Sequence, residues 1–267
     1  MGINKKQSID REVILDKTED STSYKFFASV YDQMMDNINY ENWKFYLLQL
    51  FFKYGVEPCS LVAELGCGTG VMTRLLAGDG FRMTGIDLSE DMLEVAKSNK
   101  TSVNVTDTFE RKIEYQLQDM RSFQLPEKQD AIISICDSVN YLTTVDDLSQ
   151  TMKAARDNLK TGGVFIFDLK TEHFFIEELD RQVFTEDLGD VSCTWRNSYD
   201  RDARIHTYTL EFTNGEKEVH KQKVFGASDI KEAALKAGFN CARVYDAFTF
   251  DKPRKGSDRI YVVLRKK

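Results

Sequence analysis

The sequence predicts an α/β fold in which a mostly parallel sheet carries helices on both faces. First, an apolar run at 60–65 leads through a glycine-rich turn into a helical pattern at 71–77, the order of a strand, a tight turn and a helix. Second, strand-like runs and helical patterns alternate as far as residue 170, which is typical of parallel sheets. Third, residues 182–225 change to a period of two with turn residues between the segments, which predicts an inserted antiparallel ribbon.

Length and composition narrow the class of protein. The 267 residues with 42% hydrophobic content suffice for one large domain, or for one domain with an insertion. A net charge of −7 argues against a general nucleic-acid binder. Residues 1–23 contain no apolar signal core, and no run reaches the length of a membrane span. The odd count of 5 cysteines without a C-x-x-C pair, and 3 histidines without ligand spacing, predict a cytoplasmic protein without a metal.

Two amphipathic patterns precede the first strand. Apolar residues recur with helical spacing over 24–35 and again over 40–54, where Gly55 ends the second pattern and Pro58 follows. Because both come before the first strand, we expect these helices to lie on or over the sheet.

The turn after the first strand reads Glu-Leu-Gly-Cys-Gly-Thr-Gly over 64–70. Its glycines allow positive φ and the close approach of a ligand to the backbone. A carboxylate at the end of an apolar strand is costly unless it is paired, so Glu64 predicts a hydroxyl donor or a cation nearby. The dinucleotide fingerprint would need glycine at 71, where the chain has valine.

This acidic residue followed by alternate glycines resembles the first motif of the class I methyltransferases that use S-adenosyl-L-methionine (SAM). The resemblance implies SAM as the cofactor and S-adenosyl-L-homocysteine as its product. It places the amino-acid end of SAM at the loop, reached through the backbone or a water. The loop residues expected to bind it are Glu64, Gly66, Cys67, Gly68 and Gly70.

The second strand, 81–86, ends at Asp87, where a carboxylate is well placed to accept both hydroxyls of a ribose. Ser89 is a candidate N-cap for a helix over 91–98. Leu88 and Met92 are expected to pack on the adenine, with core packing as the alternative for both.

Residues 99–112 lack clean periodicity and are expected to form a loop or an irregular insertion, before a third strand at 113–117. In the family, the place after this strand holds an acidic residue that faces the adenine amino group. Asp119 and Met120 match that place, so the resemblance implies that they contact the adenine.

A buried strand at 130–135 leads into residues 136–142, and catalytic groups in open parallel sheets lie beyond such strand ends. The segment lacks the prolines of the motif that adenine-specific DNA methyltransferases carry here. Asn140-Tyr141-Leu142 instead resembles the position where amino-sugar N-methyltransferases carry a base. Tyrosine is a poor base at neutral pH, so Tyr141 either orients the nucleophile by hydrogen bonding or forms an ordinary pocket wall. Cys136 is expected beside the cofactor as a small apolar side chain rather than a nucleophile.

The sulfonium of SAM is a cation that aromatic faces stabilise. Phe-Ala-Ser-Val-Tyr-Asp over 27–32 resembles the N-terminal segment of small-molecule methyltransferases that closes over the cofactor. The resemblance implies that Tyr24 and Tyr31 contact SAM, and that Tyr31 also helps to position the acceptor.

After a helix over 145–160, which Gly162 and Gly163 are expected to cap, the run Leu-Lys-Thr-Gly-Gly-Val-Phe-Ile-Phe-Asp at 159–168 resembles the fifth-strand region of the same class. A helix at 228–237 and strands at 239–248 and 259–264 follow the ribbon. The resemblance implies a Rossmann-like, mostly parallel seven-stranded sheet. The expected division is an arm and helical cap at 1–58, a SAM-binding core at 59–170 and 226–267, and a β insert over the acceptor pocket at 171–225.

The expected activity is transfer of a methyl group from SAM to an amine or hydroxyl of a small molecule, by a monomer or a homodimer. Two alternatives stay open. The loop from Lys252 to Arg259, with the basic run Lys252, Arg254 and Lys255, motivates an RNA (tRNA) methyltransferase, although a solvated turn explains the run as well. A non-catalytic SAM-binding module is the other alternative.

Overall fold

The computed structural model describes residues 23–99 and 113–267. Two helices come first and confirm the two N-terminal patterns, and the positive φ of Gly55 ends the second helix as expected. The first part of the sheet then alternates strands with helices. Its elements, with the two helices, are α1 (Ser23–Met34), α2 (Tyr40–Tyr54), β1 (Leu61–Leu65), α3 (Val71–Gly78), β2 (Arg82–Asp87), α4 (Glu90–Ser98), β3 (Glu114–Leu117), β4 (Gln129–Ser134), a 3₁₀ turn (Ser138–Tyr141), α5 (Val145–Asn158) and β5 (Leu159–Lys170).

The remaining elements are the ribbon and the closing part of the main sheet. They are α6 (Glu172–Phe174), which continues as a π-helical turn (Phe175–Leu179), then β6 (Val183–Asp187), β7 (Ser192–Asp200), β8 (Ile205–Phe212), β9 (Lys217–Lys223), α7 (Ala227–Lys236), β10 (Ala242–Asp246) and β11 (Arg259–Arg265). The irregular insertion expected at 99–112 lies outside the described residues from 100 onward.

Among the described residues, seven strands form the main sheet in the order β10-β11-β5-β4-β1-β2-β3. The five strands from β5 to β3 run parallel, and β11 is antiparallel to both of its neighbours. The strands β6 to β9 form a separate antiparallel sheet in sequence order. The predicted α/β class, the mostly parallel sheet and the antiparallel ribbon are therefore confirmed.

Alternate residues along the parallel strands enter two different cores. Leu65 and Ile132 pack in a cluster with α5 and α7. Val62 and Ile133 pack in the other cluster with α2 and α3. Since side chains alternate across a sheet, the two clusters lie on opposite faces, and helices cover both.

Helix α1 packs against both helix α4 and the second sheet. Phe27 and Met34 of α1 share a hydrophobic cluster with Met92 of α4 and with Leu210 and Phe212 of β8. This packing joins the N-terminal helix to the ribbon and to the helix that follows β2.

The expectation that Gly162 and Gly163 cap α5 is wrong. Helix α5 ends at Asn158, and both glycines lie inside β5. The register between β4 and β5 is irregular here, and a Cβ on Gly163 would lie 3.0 Å from the backbone oxygen of Asp130. Glycine is needed because two backbones approach closely.

Within the ranges 23–99 and 113–267, none of the helices is both long enough and apolar enough to cross a membrane.

The core on the α2 face is expected to supply much of the stability. Leu50→Ala in α2 removes a fully buried side chain and should lower the free energy of unfolding by about 2–5 kcal/mol. Phe52→Ala, two residues further on the same helix, removes an exposed ring and should change it by less than about 1 kcal/mol. Urea unfolding of both variants checks the pair. Equal losses would contradict the placement of α2.

Candidate functional site

A pocket lies at the carboxyl ends of β1 and β4. It is bounded by the glycine-rich loop, by the segment after β4, and by aromatic residues of the two N-terminal helices. Its lining residues are Tyr31, Tyr40, Glu64, Gly66, Cys67, Gly68, Thr69, Val71, Met72, Ile135, Cys136 and Ser138.

The three glycines of the loop have different reasons to be glycine. All have positive φ, at 68° for Gly66, 51° for Gly68 and 76° for Gly70. A Cβ on Gly66 would lie 2.8 Å from Ser138, and one on Gly70 would lie 3.0 Å from the ring of Tyr115. A Cβ on Gly68 would meet no described atom within 4 Å. The backbone at Gly68 is therefore the part of the loop that a ligand can approach.

Glu64 is buried at the end of β1 and lines the pocket. The expected hydroxyl donor is Thr73 of α3, whose Oγ1 donates to the Glu64 carboxyl. Burial raises the pKa of Glu64 to about 8, against the lowering effect of that hydrogen bond. Near neutral pH this group can therefore be a donor as well as an acceptor.

Asp87 lies beside the same loop. Its Oδ2 accepts from the backbone N–H of Gly68 at 2.7 Å, and its Oδ1 accepts from that of Ser89 at 2.9 Å. Burial raises the pKa of Asp87, and the backbone donors oppose this effect. Each carboxylate oxygen can accept a second hydrogen bond, so the orientation suits a pair of ribose hydroxyls.

The neighbours of Asp87 divide between exposed and core positions. Leu88 is 70% exposed and free of the hydrophobic clusters, as a side chain that packs on a ligand would be. Met92 is buried with α1 and the second sheet, so core packing accounts for it. Ser89 accepts from the Met92 N–H, which confirms the predicted N-cap.

Asp119 and Met120 follow β3 near the loop. The Cε of Met120 lies 3.5 Å from the position of a Cβ on Gly66, so Met120 is beside the glycine loop. The carboxylate of Asp119 binds the Nε of Arg121, at 3.0 Å to each oxygen, which lowers the pKa of Asp119. Arg121 also pairs with Asp147 at 3.1 Å. The adenine contact of Asp119 stays a prediction.

Two tyrosines of the N-terminal helices reach the pocket. Tyr31 lines it as expected and packs edge-to-face on Phe27, with ring centroids 5.4 Å apart. Tyr40, the first residue of α2, lies in the same wall and was missed by the sequence prediction. Thr69 of the loop donates to Asp32 of α1 at 2.5 Å, so α1 is tied directly to the loop. The side chain of Tyr24 lies outside the described part of the chain.

The segment after β4 turns through two consecutive left-handed residues. Cys136 has φ 55° and Asp137 has φ 56°, a conformation that costs energy and clusters at functional sites. Asp137 accepts from Arg259 at 2.9 Å and from Gln222 at 2.6 Å, and pairs with Lys170 at 3.3 Å. These contacts hold the strained turn in place.

Arg259 also pairs with Asp168 at the end of β5. Burial raises the pKa of Asp168 to about 6, against the opposing effect of Arg259. Burial likewise favours the neutral form of Asp137, but Lys170 and Arg259 outweigh it and hold the pKa of Asp137 below its usual value. Arg259 is therefore part of the strand-end structure rather than of an exposed basic loop.

Tyr141, at the end of the 3₁₀ turn, is 43% exposed and faces the second sheet. Its hydroxyl contacts the hydroxyl of Tyr208 in β8 and lies 3.4 Å from Nδ1 of His220 in β9. Sequence reasoning missed the polar residues of β9. The sequence pattern that could have indicated them is the alternation over Lys217–Lys223, in which the buried positions 218, 220 and 222 are all polar. It missed Arg259 because only the folded chain brings that residue to the strand ends.

Comparisons with known proteins agree with this geometry. A family model described as a methyltransferase domain matches residues 62–163, from β1 into β5. YqeM of Bacillus subtilis, a protein assigned as a methyltransferase, is 32% identical over 251 residues, which cover 91% of this chain and 97% of YqeM. A crystal structure of an S-adenosylmethionine-dependent methyltransferase from Clostridium acetobutylicum is similar with a TM-score of 0.76 and 26% identity, over 91% of this chain and 98% of that one.

A more distant relative carries a substrate in its name. The dTDP-3-amino-3,4,6-trideoxy-alpha-D-glucopyranose N,N-dimethyltransferase of Streptomyces venezuelae is 30% identical over 112 residues, which cover 42% of this chain and 43% of that protein.

The sheet order, the glycine loop and the strand-end pocket are those of an enzyme that binds its cofactor at the carboxyl edge of a parallel sheet. This chain belongs to the class I SAM-dependent methyltransferases, and its cofactor is SAM. The open backbone at Gly68 and the orientation of Asp87 fit a bound nucleoside.

Asp87 is expected to hold the ribose of SAM. Asp87→Asn removes the charge and one acceptor oxygen, and hydrogen bonds to charged groups contribute about 1.5–3 kcal/mol. Calorimetry should show SAM bound roughly 10–100-fold more weakly. Glu90→Gln, at an exposed position three residues further on, should bind SAM as the unmodified protein does. Unchanged affinity of Asp87→Asn would contradict the assignment.

Glu64 is expected to make stability depend on pH. Its pKa of about 8 in the folded chain exceeds the ordinary 4.5, so its contribution is full below pH 4.5 and is lost as the pH rises to 8. The largest slope is about 1.4 kcal/mol per pH unit. Glu64→Gln cannot ionise, so its free energy of unfolding relative to the unmodified protein should rise between pH 5 and pH 8.

Urea unfolding of the cofactor-free protein at the two pH values measures this difference. Glu57→Gln, at an exposed position, is the matched control and should follow the unmodified protein. If the free energy of unfolding of Glu64→Gln changes with pH as that of the unmodified protein does, the carboxyl is not held in a desolvated state.

Proposed function

We propose that this methyltransferase transfers the methyl group of SAM to an amine or a hydroxyl of a small molecule. The observation that carries the proposal is the position of the second sheet. Tyr208 of β8 and His220 of β9 contact Tyr141 beside the strand-end pocket, and α1 packs against both the sheet and the glycine loop. A site bounded on these sides suits a small acceptor.

The roles of the pocket residues follow from what each one offers. SAM supplies a methyl group on a positively charged sulfur. Glu64, Asp87 and the loop backbone hold the cofactor, and the rings of Tyr31 and Tyr40 surround the pocket with the electron-rich faces that cations favour. Tyr141 orients the acceptor. Holding two reactants in line can supply about 7–11 kcal/mol of the acceleration, so positioning is the main task of these residues.

In this proposal, different segments of the chain bind the cofactor and enclose the acceptor. Residues 59–170 and 226–267 bind the cofactor, residues 1–58 include the helices that cover it, and residues 171–225 cover the acceptor pocket. The Streptomyces venezuelae relative is named for dimethylation of an amino sugar, which supports a small-molecule amine as the acceptor class. Its alignment spans less than half of either chain, so the particular sugar is not carried over.

Two arginines of the loop that motivates an RNA substrate have acidic partners within the protein. Arg259 lies in buried ion pairs with Asp137 and Asp168 and does not belong to the surface that the basic loop presents. Arg254 pairs with Asp246 at 3.2 Å. With a net charge of −7, the chain offers little electrostatic attraction for a phosphate backbone.

The proposal is tested with the purified full chain and SAM labelled on its methyl group. The panel contains dTDP-amino sugars, primary and secondary amines, phenols and alcohols, with bulk tRNA and unfolded protein as separate arms. We expect label on an amine or hydroxyl of a small molecule.

Label confined to tRNA, with binding that weakens steeply as salt increases, would replace the proposal with an RNA methyltransferase. Tight SAM binding with no transfer to any arm would instead support the non-catalytic module. Lys255→Ala, in the exposed basic loop, should leave small-molecule transfer unchanged and would reduce transfer to tRNA.

A further inference from the structure

The inner face of β9 is polar, which is unusual for a buried strand face. Glu218, His220 and Gln222 are 6%, 6% and 2% exposed, whereas Val219 between them is 54% exposed. Burial of polar side chains is costly unless they find partners. Gln222 donates a hydrogen bond to Asp137 in the turn after β4. His220 lies beside the hydroxyl of Tyr141. The strand therefore presents its polar face to the site.

The contacts of His220 determine which ring nitrogen carries the proton. Nε2 lies 2.9 Å from Oε2 of Glu218, and an ionised carboxylate can only accept a hydrogen bond. Nε2 therefore carries the hydrogen, and the lone pair of Nδ1 points toward the hydroxyl of Tyr141 at 3.4 Å. Such hydrogen bonds are often long before substrate binds and shorten in the reacting complex.

The ring of His220 packs against two neighbouring rings. Tyr208 stacks on it with centroids 4.6 Å apart and an interplanar angle of 7°, and Phe27 of α1 packs on it at 5.2 Å. Because neighbouring rings fix its plane, its nitrogens keep their directions toward Glu218 and Tyr141.

Tyr141 connects this buried histidine to the pocket. It lies on the same 3₁₀ turn as Ser138, which lines the pocket, and it is partly exposed. A phenol donates one hydrogen bond and accepts others, so Tyr141 can accept from Tyr208 while it donates to Nδ1 of His220. Among the described residues, the titratable groups that interact with Tyr208, which touches both Tyr141 and His220, include Glu218 from β9, Tyr31 from α1 and Asp137 from the turn after β4.

On the basis of the proposed function, we propose that Tyr141, His220 and Glu218 form a relay that removes the proton of the acceptor. As the bond from the acceptor nitrogen or oxygen to the methyl carbon forms, the carbon–sulfur bond breaks and its electron pair stays on sulfur. The acceptor proton passes to the oxygen of Tyr141, and the Tyr141 proton passes to Nδ1 of His220.

The charge balances across this step. The cationic sulfonium becomes a neutral thioether, and the positive charge appears on the imidazolium of His220 beside the carboxylate of Glu218. Tyr141 is the catalytic residue in this scheme because it touches the acceptor, whereas His220 and Glu218 are positioning residues that act through it.

The kinetic test compares His220→Gln, Glu218→Gln and Tyr141→Phe in the full chain, with the panel compound that is methylated fastest. We expect His220→Gln to lower kcat about 10²–10⁴-fold and to abolish the acid limb of the pH–kcat profile. The Kd of SAM, measured by calorimetry, should stay within about twofold. His173→Gln, which removes a partly exposed histidine that pairs with Asp258, is the matched control and should retain activity.

A His220→Gln variant with unchanged kcat and an unchanged acid limb would overturn the relay. If His220→Gln fails to bind SAM, Glu218→Gln decides instead: it leaves the imidazole in place, and it should lower kcat and shift the acid limb.

The second measurement needs no acceptor. With ¹⁵N-labelled histidine and S-adenosyl-L-homocysteine, nuclear magnetic resonance at high pH should show His220 with its hydrogen on Nε2, assigned by its loss in His220→Gln. A hydrogen on Nδ1 would overturn the relay. If the unmodified chain methylates none of the small molecules, the proposed function fails, and this tautomer still decides whether the Glu218–His220–Tyr141 arrangement exists.

Discussion

The guanidinium of Arg259 between the carboxylates of Asp137 and Asp168 is the interaction on which the carboxyl edge of the sheet depends. Two buried acids at neighbouring strand ends would repel each other and resist ionisation. Arg259, the first residue of β11, removes that obstacle and lies over the ring of Trp43 in α2 at 4.7 Å. A buried ion pair does not guarantee net stability. Loss of one partner would nevertheless leave an uncompensated charge at the place where the site is built.

The site follows from this arrangement in steps. The contacts of Asp137 hold the left-handed turn at 136–137, and that turn sets the direction of the 3₁₀ turn that carries Ser138 and Tyr141. Gln222 ties the same carboxylate to β9. The second sheet is thus attached to the main sheet beside the glycine-loop pocket, through the same carboxylate that Arg259 binds.

The arrangement of the glycine loop and Asp87 could be predicted from the sequence because its determinants are local. The acidic residue, the glycines at 66, 68 and 70, and Asp87 lie on consecutive elements, and their spacing fixes their positions relative to one another. The contacts between distant segments could not be predicted in this way. Tyr40, His220 and Arg259 come from distant parts of the chain and meet only in the folded molecule. The alternation in β9 indicates a polar face, but Tyr141 and Asp137, which His220 and Gln222 contact, lie about eighty residues earlier in the chain. Glycines 162 and 163 were predicted wrongly for a related reason. Glycine is favoured both at a helix cap and where two strands approach closely, and the sequence does not distinguish the two cases.

Under the proposed function, the cofactor site is local in the sequence and the acceptor site is assembled by tertiary contacts. The most direct test of this division is a crystal structure of the full chain with S-adenosyl-L-homocysteine. The ribose hydroxyls should bind Asp87, and the sulfur should face Tyr141 and the polar face of β9. A nucleoside bound away from Asp87, or a sulfur that faces away from Tyr141 and the second sheet, would contradict the account.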